Sequence, residues 1–107
     1  SKDMNVPTRA TELAFLSTRP GAGEASEAAF ASVAGLVADA EGYLGHRLVR
    51  SLDQPDVYLL DVEWKDLAAH VEVFEPSDAH ARFMAALTPF LAAEPSVVHV
   101  PSRGPDD

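Results

Sequence analysis

The chain has 107 residues, 47% of them apolar, and its 17 acidic against 8 basic side chains give a formal charge of −9; it contains no cysteine. That length makes one domain with a modest core, the acidic surplus argues against nucleic acid or anionic membranes as partners, and disulfides and thiolate nucleophiles are excluded. No apolar run approaches a membrane-spanning helix and no signal-peptide core opens the chain, so a soluble protein of the cytoplasm is expected.

Residues 1–10 are polar, with Pro7, and read as an N-terminal arm. Residues 11–18 (TELAFLST) form the first expected strand, with Leu13 and Phe15 on one face and Ala14 and Leu16 on the other. Arg19-Pro20-Gly21-Ala22-Gly23 is turn chemistry that stops it. A helix follows over 24–40, where Phe30, Val33, Ala34 and Val37 recur at helical spacing. Glu24 and Glu27 fall near its start, where the helix dipole favours negative charge. Gly35 costs about 1 kcal/mol relative to alanine, which a close approach to the sheet would explain. Gly42 suits a left-handed helix cap.

Residues 43–52 (YLGHRLVRSL) and 57–64 (VYLLDVEW) are two strands joined by Asp53-Gln54-Pro55-Asp56, an antiparallel hairpin. A simple four-residue loop puts Arg50 opposite Leu59, Leu48 opposite Asp61 and His46 opposite Glu63. In the second of these strands one face carries Tyr58, Leu60, Val62 and Trp64, and the other Val57, Leu59, Asp61 and Glu63. A short helix is expected over 65–74. Ser77 then caps a further helix, with His80 at its third position and Phe83, Met84 and Leu87 as its apolar stripe. Residues 96–100 (SVVHV) form the last strand, and 102–107 a polar tail.

The order β-α-β-β-α-α-β is that of an α+β, ferredoxin-like domain over 11–101, a four-stranded antiparallel sheet with helices on one face. The uncovered face is too apolar for water. A second copy is the simplest cover, so the expected assembly is a homodimer forming a dimeric α+β barrel.

YLLDVEW, the following KDLAAH, SDAHARFMAALTPFL and the loose pattern Trp64, His70, Ser77, His80 resemble the antibiotic biosynthesis monooxygenase family of dimeric α+β barrels. The resemblance covers residues 11–101. It implies a cofactor-independent monooxygenase acting on a small aromatic, polyketide- or quinol-like substrate. The haem-degrading branch places an asparagine on the first strand and a tryptophan and ligating histidine on the later helices. Here the strand has none, Phe74 stands near the tryptophan's place, and Met84 near the histidine's. In the polyketide-oxidising branch an asparagine precedes the tryptophan by four residues, where this chain has Leu60, and a tyrosine stands at the place of His70.

An oxygenase of this kind needs a base that titrates near neutrality and an apolar cleft that excludes water. His70 and His80 are the expected bases, since imidazole titrates near neutral pH, with Trp64 beside them as the third catalytic candidate. Tyr58, Phe74 and Phe83 are expected to bind substrate. No helical ligand pair at suitable spacing points to a metal, and no cofactor is expected. Asp61, Glu63, Arg47, Arg50 and His46 read as an ion-pair cluster at the dimer interface. The competing expectation is a non-catalytic homodimer that binds a hydrophobic ligand or serves as an interaction module, with Trp64 a core anchor and the histidines exposed.

Overall fold

The computed structural model describes residues 8–107. Its elements are β1 (Ala10–Ser17), α1 (Gly23–Ala38), β2 (Tyr43–Arg50), β3 (Val57–Trp64), a π-helical turn (Ala69–Phe74), α2 (Asp78–Leu87), a 3-10 turn (Thr88–Phe90) and β4 (Ser96–Pro101). The strands form one antiparallel sheet in the order β2-β3-β1-β4. This is the expected ferredoxin-like α+β arrangement. Most of the expected N-terminal arm, residues 1–7, lies outside the described residues, and Ala10 already belongs to β1.

Strand alternation decides which side is covered. Tyr58, Leu60, Val62 and Trp64 of β3 are all buried, as are Ala14 and Leu16 of β1. They pack with Phe30 and Val37 of α1 and Phe83 and Leu87 of α2 in one core. Both helices therefore lie on the same face of the sheet. Ser77 caps α2 as expected, its hydroxyl accepting from the His80 N–H at 3.2 Å. The opposite face keeps Phe15, Val98 and Val100 in solvent.

Four local expectations fail, each for a physical reason. The helix over 65–74 is π-helical from Ala69: the Glu75 N–H reaches back to the His70 carbonyl at 2.8 Å, closing a five-residue step. The hairpin is offset by one residue, pairing Arg50 with Tyr58, Leu48 with Leu60 and His46 with Val62. Ser51 sets that offset. Its N–H bonds the Val57 carbonyl, and its hydroxyl donates to Asp53 and accepts from the Gln54 N–H. Leu52 is thereby turned out into solvent. Gly35 is exposed, and an added Cβ there would meet nothing within 4 Å, so no close approach explains it. Gly42 does have a left-handed backbone, φ +86°, but it lies beyond the end of α1. It occupies a tight turn closed by the Tyr43 N–H on the Ala40 carbonyl at 3.1 Å. A Cβ there would stand 2.7 Å from that of Ala69.

The expected charge cluster is divided. Arg47 lies 3.9 Å from Asp61 on the uncovered face. Glu63 instead accepts from Thr11 at 2.7 Å and from Ser102 at 2.8 Å, which ties the start of the expected tail to the sheet. Arg50 turns to the Pro55 carbonyl and the Tyr58 ring, and His46 to the Tyr43 hydroxyl and the Phe30 ring.

Candidate active site

β1 presents Ala10, Glu12, Ala14 and Leu16 to the helices, so the alternation that builds the core also carries one carboxyl into it. Glu12 is 7% exposed. The Trp64 indole N–H donates to its Oε1 at 3.0 Å. Nε2 of His70 stands 3.3 Å from the same oxygen. On the other side of the ring, Nδ1 of His70 lies 2.7 Å from Nε2 of His99. β1 and β4 pair Glu12 directly with His99, so both project from the same face. The π-helical turn supplies His70, which is itself 2% exposed. Its ring stacks on Trp64 with centroids 4.9 Å apart and planes 18° from parallel.

Burial sets the protonation states. It pushes the Glu12 carboxyl up to about 7; the Trp64 N–H pulls the other way, and the Glu75 charge adds to the rise. Burial likewise holds His70 down to about 4, with His99 and His80 opposing its charging. Between those values neither group is charged, so their 3.3 Å contact joins two neutral groups rather than an ion pair.

Glu12 and His70 line a cavity of about 590 Å³ between sheet and helices, a size typical of small-molecule sites. Its walls include Leu16, Leu60, Val62, Phe74, Phe83, Met84, Leu87 and Leu91; Glu75, His80, Arg19, Thr88 and Glu94 are its other polar lining residues. A buried acid titrating near neutrality in an apolar cavity can take and return a proton there.

The structure brings His70, His80, Phe74 and Phe83 together around this cavity. The Phe74 ring meets that of His80 edge-on at 5.5 Å. Trp64 is wholly buried behind His70 and is not part of the wall. Tyr58 lies apart, its hydroxyl bonded to Glu27 at 2.5 Å beside a separate small pocket under α1. Glu12 and His99 were not among the residues the sequence suggested. Glu12 had a signal: it is the single acid in an alternating row of alanine and leucine. His99 had none, because its role depends on the pairing of β4 with β1. Among the described residues no three His, Asp or Glu side chains converge as metal ligands.

A family profile described as antibiotic biosynthesis monooxygenase matches residues 10–86. The chain belongs to the antibiotic biosynthesis monooxygenase family. The matched region runs through α2 and holds Glu12, Trp64, His70 and His80, whereas His99 lies beyond it. Protein YczJ of Bacillus subtilis (strain 168) is 33% identical over 88 residues, 82% of this chain and 93% of that protein. A Bordetella bronchiseptica protein named for the antibiotic biosynthesis monooxygenases superimposes with a TM-score of 0.86 at 27% identity, covering 91% of this chain and 99% of the other. SnoaB, a cofactor-independent oxygenase from Streptomyces nogalater, gives 0.77 at 21% identity, covering 91% and 95%; at that identity the likeness is one of fold. No helix among the described residues is long and apolar enough to cross a membrane.

Proposed function

We propose that this member of the family is a cofactor-independent monooxygenase for a small aromatic substrate bound in the cavity, with Glu12 as its base. The observation that carries this reading is the Glu12 carboxyl, buried among apolar walls and titrating at about 7. Family membership and the oxygenase activity named for SnoaB support it. A phenol, quinol or anthrone is acidic enough for such a base. For an anthrone-type methylene, Glu12 takes one proton, and the carbanion gives electrons to dioxygen as the C–O bond forms. The peroxide anion takes that proton back. Loss of the second hydrogen from the same carbon cleaves the O–O bond, leaving a ketone and releasing water. One oxygen atom stays on the substrate, and the methylene supplies all four electrons, so no external reductant is consumed. Water exclusion by the apolar walls protects the carbanion.

An oxygen electrode with anthrone and 1,4-dihydroxynaphthalene tests this. The wild-type protein is expected to consume oxygen, and Glu12→Gln to slow it by about 10²- to 10⁴-fold, the usual contribution of a positioned base. A Glu12→Gln rate equal to wild type would remove Glu12 from the mechanism. Tight binding of these compounds without oxygen uptake would identify a non-catalytic ligand-binding module.

The second part of the proposal is the homodimer. Leu13, Phe15, Leu59, Val98 and Val100 share the uncovered sheet face by register, and Phe15 is 45% and Val98 46% exposed. A twin subunit on this face would bury them. Sedimentation is expected to give a dimer for wild type and a folded monomer for Val98→Asp; a wild-type monomer at micromolar concentration would rule the assembly out.

A further inference from the structure

The Glu12 carboxyl lies in a closed corner. Trp64 from β3 bonds it, His70 of the π-helical turn lies 3.3 Å away, Glu75 stands 4.0 Å from the same His70 nitrogen, and His80 of α2 lines the cavity beside them. The proposed mechanism uses Glu12 but does not account for how its proton reaches water once a substrate fills the cavity that the carboxyl lines. It also leaves His99 unused, although this histidine makes the shortest polar contact to the site.

We propose that Glu12, His70 and His99 form a proton relay whose outlet is His99. The proposal rests on the reading of Glu12 as the site's base. Three observations carry it. The separations, 3.3 Å from Glu12 to Nε2 of His70 and 2.7 Å from Nδ1 of His70 to Nε2 of His99, connect the three groups in a row through both nitrogens of one ring. His70 is buried, whereas His99 is partly exposed. The three groups come from different elements: β1–β4 pairing sets the two ends side by side, and the π-helical turn lowers His70 over them.

Each imidazole of a neutral pair carries one N–H, and a hydrogen bond at one nitrogen decides which. With Glu12 protonated, its O–H donates to Nε2 of His70. Nδ1–H of His70 then donates to Nε2 of His99, whose own proton sits on Nδ1. With Glu12 ionised, Nε2–H of His70 donates to the carboxylate, and Nε2–H of His99 donates to the bare Nδ1 of His70. The second arrangement holds one proton fewer, and the one missing is that of His99 Nδ1. Glu12 therefore loses its proton while the proton released to water leaves from His99. No bond other than N–H and O–H changes, and each step is reversible. His99 does not line the cavity, so it acts through His70 as a positioning residue.

Nitrogen-15 histidine and carbon-13 carboxyl NMR of the wild-type protein across pH tests the relay without any substrate. Both rings are expected to exchange tautomers in one transition, with the midpoint of the Glu12 carboxyl. A ring that keeps its tautomer through that transition would overturn the relay. His99→Gln, which can still hydrogen-bond His70 but cannot pass a proton, gives the second arm. It is expected to lower kcat for oxygen uptake about tenfold with KM unchanged, and added imidazole to restore the rate. A loss that imidazole does not restore would assign His99 to packing and overturn the relay, as would a wild-type rate at every pH. Coupled tautomer exchange in a protein that consumes no oxygen would uphold the relay while sinking the oxygenase reading.

Discussion

The indole N–H of Trp64 points at Oε1 of Glu12 from 3.0 Å, and this donor stabilises the carboxylate against its own burial. The tryptophan reaches the proposed base through that bond, not by touching the cavity.

Trp64→Phe keeps most of the ring and removes the donor. The Glu12 midpoint is expected to rise above about 7, because the charged form alone loses a partner. Folding stability is expected to fall by about 1–3 kcal/mol from the lost hydrogen bond and the smaller ring. Carbon-13 titration of the carboxyl and urea unfolding measure the two effects. A Glu12 midpoint that does not move would show the bond to be irrelevant to its acidity.

Stability against pH should reveal two opposing slopes. Glu12 rises from 4.5 to about 7 on folding, so the folded state holds the extra proton in that interval and stability falls as pH rises through it. His70 drops from 6.5 to about 4, so the unfolded state holds the extra proton there and stability falls as pH decreases. Each effect amounts to roughly 3 kcal/mol, and over the shared interval they nearly cancel. Glu12→Gln is therefore expected to gain stability between pH 4.5 and 6.5 relative to its own value at pH 4.5, and His70→Phe to lose it. Urea midpoints at half-unit pH steps measure this. Parallel curves for the two variants would contradict it.

Two glycines should respond in opposite directions to alanine. At Gly42 the left-handed backbone and the 2.7 Å approach to Ala69 both oppose a Cβ, and a loss of about 1–3 kcal/mol is expected. At Gly35, inside α1 with open space around it, alanine is expected to stabilise by about 0.5–1 kcal/mol. Thermal unfolding of the two variants decides it; a destabilised Gly35→Ala would mean that the position has a packing role after all.

What the sequence made legible follows from periodicity. The β3 row Tyr58, Leu60, Val62, Trp64 is buried without exception, because that face is apolar along its whole length whereas the other turns acidic at Asp61 and Glu63. Ser77 was readable because a cap is a local bond between a side chain and an amide three residues on. The hairpin offset was not, since the hydroxyl of Ser51 rather than the loop length decides it. Nor was the π-helical turn, where one widened step at His70 is invisible in six residues of sequence. Of the site, His70, His80, Phe74 and Phe83 were within reach because apolar and titratable residues crowded one stretch. Placing His99 required knowing which strand flanks β1.

Glu12 and His99 face each other across one rung of the β1–β4 ladder. A single-residue insertion or deletion early in β1 would turn the carboxyl onto the far side of the sheet, and one in β4 would do the same to the imidazole. Length changes in this protein should therefore be tolerated in the β2–β3 loop, where Leu52 already hangs free, and abolish the proposed chemistry in the two strands even where the domain still folds.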